Sequence, residues 1–448
     1  MAALFNKISL FCYLVAFCIS CNYNTEEITY AEHIAPIVNV HCVGCHQPNE
    51  GGPFNLISYN DLAKRSKMIA HVTKIKFMPP WLADPNYSQF ANQNILSEEQ
   101  IKLFQLWHKQ GAKLGDTSKH KIKPIVLRKN NKNYLELDIE PVFIKGNHGD
   151  NFFYIKVPIE IPQDSFVRMV EFIPGKPKLV HHVNGHLILL PLDDTSNIFN
   201  TRRIVDIHSP DFEKHIEEMG LYINPFEKRI HSAVNYLPGV RGFLYPQGIG
   251  GYPLSKKAYF VLKDIHYGPS EKDQIDSSKL RIYFGSKPPE RPILETMLGT
   301  NGISKINPLL LVEAGKIQKF TTKAFIPEDI SILTINPHMH LLGKSFKAYA
   351  VKPNGDTIPL VYIPKWDFRW QYYYTFKKML KIPKGSTIFV EAIYDNTTQN
   401  PNNPNKPPKN IAERMLFGGS SMRTSDEMLQ FIISYLPYQE GDENTSLQ

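Results

Sequence analysis

The residues most capable of chemistry lie at 336–344, Asn-Pro-His-Met-His-Leu-Leu-Gly-Lys. His338 and His340 are two positions apart. In a strand, side chains repeat every second residue, so both rings would share a face and Met339 would turn to the other. One metal ion could then take a nitrogen from each ring. Read alone, the pair fits equally well as two ordinary histidines at a sheet edge. Three further stretches carry similar groups: Val180-His181-His182-Val183, Asp264-Ile265-His266-Tyr267-Gly268 and Ser425-Asp426-Glu427-Met428. An all-nitrogen set (His181, His182, His266) and a mixed set (His338, His340, Met428) would suit copper. A soft thioether favours Cu(I), and imidazole binds both oxidation states. Spacing alone does not choose this grouping, because His186, His208, His215 and His231 are also available and a single Met is usually a core residue.

A fifth stretch, Cys42-Val-Gly-Cys45-His46, has the Cys-x-x-Cys-His spacing of covalent haem attachment. The thiols add to the haem vinyl groups and the His ligates iron. A redox dithiol would need a βαβ context and a zinc site a second ligand pair, and neither is present. Met78, ahead of Pro79-Pro80, sits on a stiff extended loop and could offer the sixth ligand; His71 is the rival. The flanks read as three helices: Ala31 to Val40, Tyr59 to Lys76, and one opened by the capping box Ser97-Glu-Glu-Gln100, with Ile101, Phe104 and Trp107 or His108 on one face. Residues 27–116 resemble a class I cytochrome c domain, which implies one covalently bound haem c held by Cys42, Cys45, His46 and Met78.

The remaining elements must position the histidines. The chain has 448 residues, enough for two to three domains. Residues 117–134 are polar and read as a linker. Beyond them helical periodicity gives way to short apolar or alternating runs: Asn151 to Val157, Ser165 to Phe172, Leu179 to Leu190, Ala258 to His266 and Leu280 to Phe284. More follow at Lys316 to Phe325, Ser345 to Val351, Ile358 to Tyr362, Thr387 to Tyr394 and Met428 to Tyr435. Pro, Gly, Asn and Asp punctuate them, as in antiparallel sandwiches. The length predicts two, at 135–288 and 289–440, with a helical insertion near Pro210 to Gly220. The expected class is therefore multidomain: a small all-α domain followed by two all-β sandwiches.

The ordered set His181-His182, His266-Tyr267, His338-Met339-His340 with Leu342 and Gly343, and Asp426-Glu427-Met428 resembles the copper type II, ascorbate-dependent monooxygenases. That is the family of dopamine β-hydroxylase and the peptidylglycine α-hydroxylating enzyme. Phe243-Leu-Tyr-Pro246 is similar too. The resemblance spans about residues 135–440. It implies two jelly-roll-like sandwiches facing across a solvent-filled cleft, with two copper ions. His181, His182 and His266 would hold the electron-transfer copper; His338, His340 and Met428 would hold the copper that meets O2 and a small organic substrate. Met339 stands where the family has Thr, and Met422 is a second thioether near Met428. Asn336 and Ile432 replace the Arg and Tyr that grip a peptide carboxylate in the amidating branch, so peptide amidation is not expected.

The five cysteines are Cys12, Cys18, Cys21, Cys42 and Cys45, so the family's disulfides cannot form and no thiolate is available to copper. Residues 1–21 hold Lys7, an apolar run from Ile8 to Ile19 and Ser20-Cys21. They read as a secretion signal of lipoprotein type, placing the mature protein outside the cytoplasm (periplasm or outer surface) on a lipid tether. The net charge of +8 is modest and its basic concentration lies in the linker, so no nucleic-acid partner is expected. The expected activity is hydroxylation of a C–H bond by O2, with an external one-electron donor feeding the haem: a cytochrome, a quinol-linked donor or an ascorbate-like reductant. The alternative is an electron-transfer or copper-binding protein without oxygenase activity.

Overall fold

The computed structural model describes residues 27–118, 134–191, 193–221, 228–240, 242–246, 248–413 and 425–447. The expected signal segment, most of the linker and Met422 lie outside the described residues. Among the described residues no helix is long and apolar enough to cross a membrane.

Residues 30–109 contain a π-helical turn (Tyr30–Ile34) and four short α-helices: α1 (Ala35–His41), α2 (Tyr59–Ala63), α3 (Ser66–Lys74) and α4 (Glu98–Lys109). Ile34, Val38, Leu62, Ile69, Phe104 and Trp107 form a core of their own. The capping box is present: Ser97 accepts from the Gln100 N–H, and the Gln100 side chain accepts from the Ser97 N–H. The single helix expected over Tyr59 to Lys76 is instead two. The Arg65 guanidinium donates to the Asp61 carbonyl and lies 4.3 Å above the Phe54 ring, drawing the backbone out of helix between them.

Residues 80–94, expected to belong to the helical unit, cross to the far half of the chain. The Asp84 N–H donates to the Tyr362 carbonyl (2.8 Å) and the Ala91 N–H to the Thr375 carbonyl (2.7 Å). Trp81 and Phe90 pack on Tyr372, Tyr374 and Phe376. Large aromatic side chains on an extended, proline-stiffened segment have no helical neighbour to cover them, and burial against a sheet removes them from water.

The rest is antiparallel β-structure in several small sheets. The strands that position the histidines are β1 (Asn151–Glu160), β2 (Val180–Leu189), β3 (Lys228–Tyr236) and β4 (Lys257–Tyr267), then β5 (Leu294–Gly299), β6 (Ile330–His338), β7 (Tyr374–Ile382) and β8 (Gln430–Pro437). One sheet runs β1-β4-β2-β3, with Ile204–Asp206 on the outer side of β1; another runs β5-β8-β6-β7. Second sheets come from Tyr134–Asp138, Lys279–Phe284, Ser165–Ile173 and Tyr252–Leu254, and from Ile317–Phe325, Thr387–Asp395, Gly343–Val351 and Thr357–Ile363. Thr387–Asp395 alternates buried and half-buried positions at period two, as a strand with one covered face must. β6 is buried at every position but its last, so it carries no alternation. The insertion near 210–220 is α5 (Phe212–Glu218). Apolar side chains from both halves share one continuous core.

Candidate metal centre

The first histidine group is assembled by strand register. In β2 and β4, His182 pairs directly with His266. Neighbouring residues of a regular strand face opposite ways, so His181 should point away. It does not, because the register shifts between Val180 and His182 and His181 is the extra residue of a β-bulge. Both rings therefore meet His266, at centroid distances of 4.6 Å (His181) and 5.1 Å (His182). Gly268 makes the room: a Cβ there would stand 2.4 Å from His181 Nε2. Phe152 stacks on His266 at 4.2 Å. Burial pushes the His181 ring down to about 4, with His266 the next cause, so it is neutral and able to ligate at ordinary pH. The Nδ1 atoms of all three rings are buried and take no hydrogen bond, although each ring is held by other contacts.

Sequence reasoning missed Asp150. Its carboxylate lies 3.0 Å from His266 Nε2, and Asp150, His181 and His266 can bring three ligand atoms within 4.8 Å of one another. The hydrogen bond from His266 holds its carboxyl below the usual range. It precedes β1 with no local motif to mark it.

The second group sits where β6 and β8 end. The register pairs His338 with Gln430, the last pair of the ladder; His340 and Met428 lie just beyond it, and their N–H groups both bond to the Glu427 carboxylate. The expectation that one strand carries both rings is corrected: β6 stops at His338 and His340 lies in the following turn. Buried Glu427 shapes that turn. Its carboxylate accepts the N–H groups of His340 (3.1 Å), Leu342 (2.7 Å) and Met428 (3.3 Å). Burial nevertheless pushes its carboxyl up to about 8. His340 Nδ1 is 2.9 Å from the Asp426 carbonyl, and the His338 and His340 ring centroids are 5.1 Å apart. Met339 is fully buried, and Met428 is buried with its carbonyl receiving the Tyr394 hydroxyl at 2.5 Å.

The two groups do not face each other across open solvent. Phe368 lies edge-on to both His182 (5.4 Å) and His340 (5.7 Å). Gln371 reaches both groups: its Oε1 is 2.6 Å from His338 Nδ1 and its Nε2 is 3.3 Å from His182 Nε2. Asn184 donates to the same Oε1 at 3.0 Å. Phe368 and Gln371 lie in a loop before β7 that carries no sequence signal. A ligating imidazole donates its other N–H to an outer partner, and Gln371 Oε1 for His338, Asp150 for His266 and the Asp426 carbonyl for His340 are placed to accept it. Of the other histidines, His186 and His231 pair with each other at 4.7 Å, while His208 lies against Phe152 at 5.8 Å.

In the helical unit Cys42 and Cys45 are free thiols. Burial raises them to about 12 and about 11, so they are not the activated thiolates of a redox dithiol. His46 Nδ1 lies 2.9 Å from the Phe54 carbonyl, which fixes the ring through that nitrogen. A Cβ at Gly52 would stand 2.8 Å from that Nδ1. Cys45 Sγ rests 3.1 Å from the Pro238 carbonyl, so the motif abuts the loop after β3. Met78 is half-buried; His71 is exposed on α3.

Residues 293–445 match the family described as copper type II ascorbate-dependent monooxygenase, C-terminal domain. The match supports that family for the part of the chain holding His338, His340 and Met428, and with it copper and an oxidoreductase activity. No curated protein matches the chain. Among solved structures, that of PNGF-II is 11% identical, covers 78% of this chain and 72% of its own, and has a TM-score of 0.24. The Broad Bean Stain Virus structure is 7% identical, covers 68% and 88%, and has a TM-score of 0.20. Scores this low carry no argument.

Proposed function

We propose that the chain is a copper-dependent monooxygenase that hydroxylates a C–H bond of a small organic substrate with O2, its electrons entering through a haem c in the helical unit. One observation carries the reading. The bulge at His181 and the ends of β6 and β8 gather residues scattered over nearly 250 positions into two groups, and the second group lies inside the matched domain.

The residues fit copper. His181, His182 and His266 would hold one ion through nitrogens, with Asp150 orienting the His266 ring through its outer nitrogen. His338, His340 and Met428 would hold the other, whose thioether favours the reduced state. Copper would supply one-electron redox chemistry and O2 activation there. The protein's part is to fix the rings, to keep His181 neutral by burial, and to exclude water around His182 and His340 with Phe368. The helical unit fits a covalent haem in its donor set: two free thiols, an imidazole held through Nδ1, and Met78 on a rigid loop. Jelly-roll-like sandwiches at 135–288 and 289–440, an extracytoplasmic location and a lipid tether at Cys21 belong to the same proposal. The external donor is a cytochrome, a quinol-linked donor or an ascorbate-like reductant.

Metal and haem content of the purified protein tests this first: two coppers and one haem per chain are expected, and zinc in their place overturns it. Isotopically labelled O2 then appears in an organic product. The close packing of Phe368 and Gln371 between the groups favours a second reading, an electron carrier or copper-binding protein without a substrate site. For that protein no label enters product.

A further inference from the structure

The helical unit and the two histidine groups are joined by a short run of contacts. Met78 is followed by Pro79, Pro80 and Trp81. The Tyr372 hydroxyl donates to the Pro80 carbonyl at 2.5 Å, and the Trp81 ring lies 5.1 Å from the Tyr372 ring. Tyr372 is bonded through the backbone to Gln371, whose amide reaches His338 (2.6 Å) and His182 (3.3 Å). The Tyr372 carbonyl is itself fixed by the Asn336 side chain at 2.9 Å. We propose that Tyr372 and Gln371 are the positioning residues that connect the Met78 loop to both histidine groups, so that one dipeptide serves electron delivery to either. This rests on the functional reading above.

Two features separate this link from ordinary packing. The phenol is buried, so its hydrogen bond to Pro80 is shielded from competing water. The Gln371 amide forks, its oxygen toward one group and its nitrogen toward the other. The step is an even exchange. With haem and copper bound, a ferrous haem would give up one electron and one cupric ion would take it up, while the Tyr372 hydroxyl would keep its proton. The electron is replaced by the external one-electron donor.

The test uses the full chain loaded with haem and Cu(II), without O2 or substrate. The haem is reduced by a light pulse, and its visible band and the Cu(II) paramagnetic signal are followed together. In the native protein one haem is reoxidised for each Cu(II) lost. Tyr372→Phe and Gln371→Leu each slow that exchange about tenfold, the low end of what losing an outer partner of a ligand costs. Tyr374→Phe serves as the control. Its ring lies 5.8 Å from Tyr372 and its hydroxyl makes no hydrogen bond, so its rate stays native. The haem spectrum of the copper-free variants is the second readout and stays unchanged. Native rates in both Tyr372→Phe and Gln371→Leu overturn the link. Slowing accompanied by an altered haem spectrum in the copper-free variants also overturns it, assigning the pair to loop packing alone. A native protein that carries both metals yet exchanges no electron overturns the functional reading itself. If Tyr372→Phe does not fold, Gln371→Leu decides the matter.

Discussion

Gly268 shows how much one absent methyl group can decide. His181 occupies the space a side chain at 268 would fill. Gly268→Ala therefore pushes the ring out of the first group, and copper affinity there falls about tenfold or more, while the second group is unaffected. Chelator competition on the variant, followed site by site through the Cu(II) spectra, checks this. At this scale the sequence was legible where chemistry is local. Vicinal histidines, His-Met-His and Cys-Val-Gly-Cys-His announce themselves by spacing. Asp150 and Gln371 do not, because Asp150 meets a ring 116 positions away and Gln371 meets rings 33 and 189 positions away, and an isolated Asp or Gln looks the same in any polar loop.

Among the elements, α4 and most of the long strands were readable, buried β1 among them, whereas β6 was not. α4 announced itself through Ser97 and Gln100, and that cap has a measurable worth. Ser97→Ala removes the acceptor for the Gln100 N–H and costs about 1 kcal/mol, seen as a lower melting midpoint of the helical signal, with the β signal unchanged. β6 gave no alternation because neighbours cover both its faces. β3 and β7, also absent from the sequence reading, sit at the edges of their sheets yet still bury most of one face. The bulge at His181 belongs to the same class of hidden feature. A register shift arises from how two strands meet, so neither strand declares it alone.

For the molecule as a whole, two carboxylates tie distant segments together. Asp442, near the C-terminus, receives both Arg291 guanidinium nitrogens (2.6 and 2.8 Å) and the Ser331 hydroxyl (2.6 Å). Burial alone would raise its carboxyl, but hydrogen bonds from Arg291, Ser331 and the Gln439 backbone outweigh it and hold it at about 2. The folded value is depressed, so this stabilisation is fully present above about pH 4 and is lost as pH falls through about 2, an effect on the order of 2 kcal/mol. Unfolding by denaturant across that range should show the native protein losing stability, with Asp442→Asn already weak at neutral pH and nearly flat. Glu295, at the start of the second half, is the other tie. It accepts the backbone N–H groups of His231 (2.6 Å) and Ser232 (3.3 Å) on β3, and bonds the hydroxyls of Ser232 and Ser434.

That last arrangement bears on anyone who would cut the gene in two. A fragment beginning at Ile293 keeps Glu295 and Ser434 but forfeits the strand whose amides surround the acid. It also strips the cover from Phe368 and the aromatic ladder that Trp81 and Phe90 seal. Such a fragment, though it coincides with the matched family segment, should precipitate on expression where the uncut polypeptide stays in solution, and co-expressing the missing portion should rescue it.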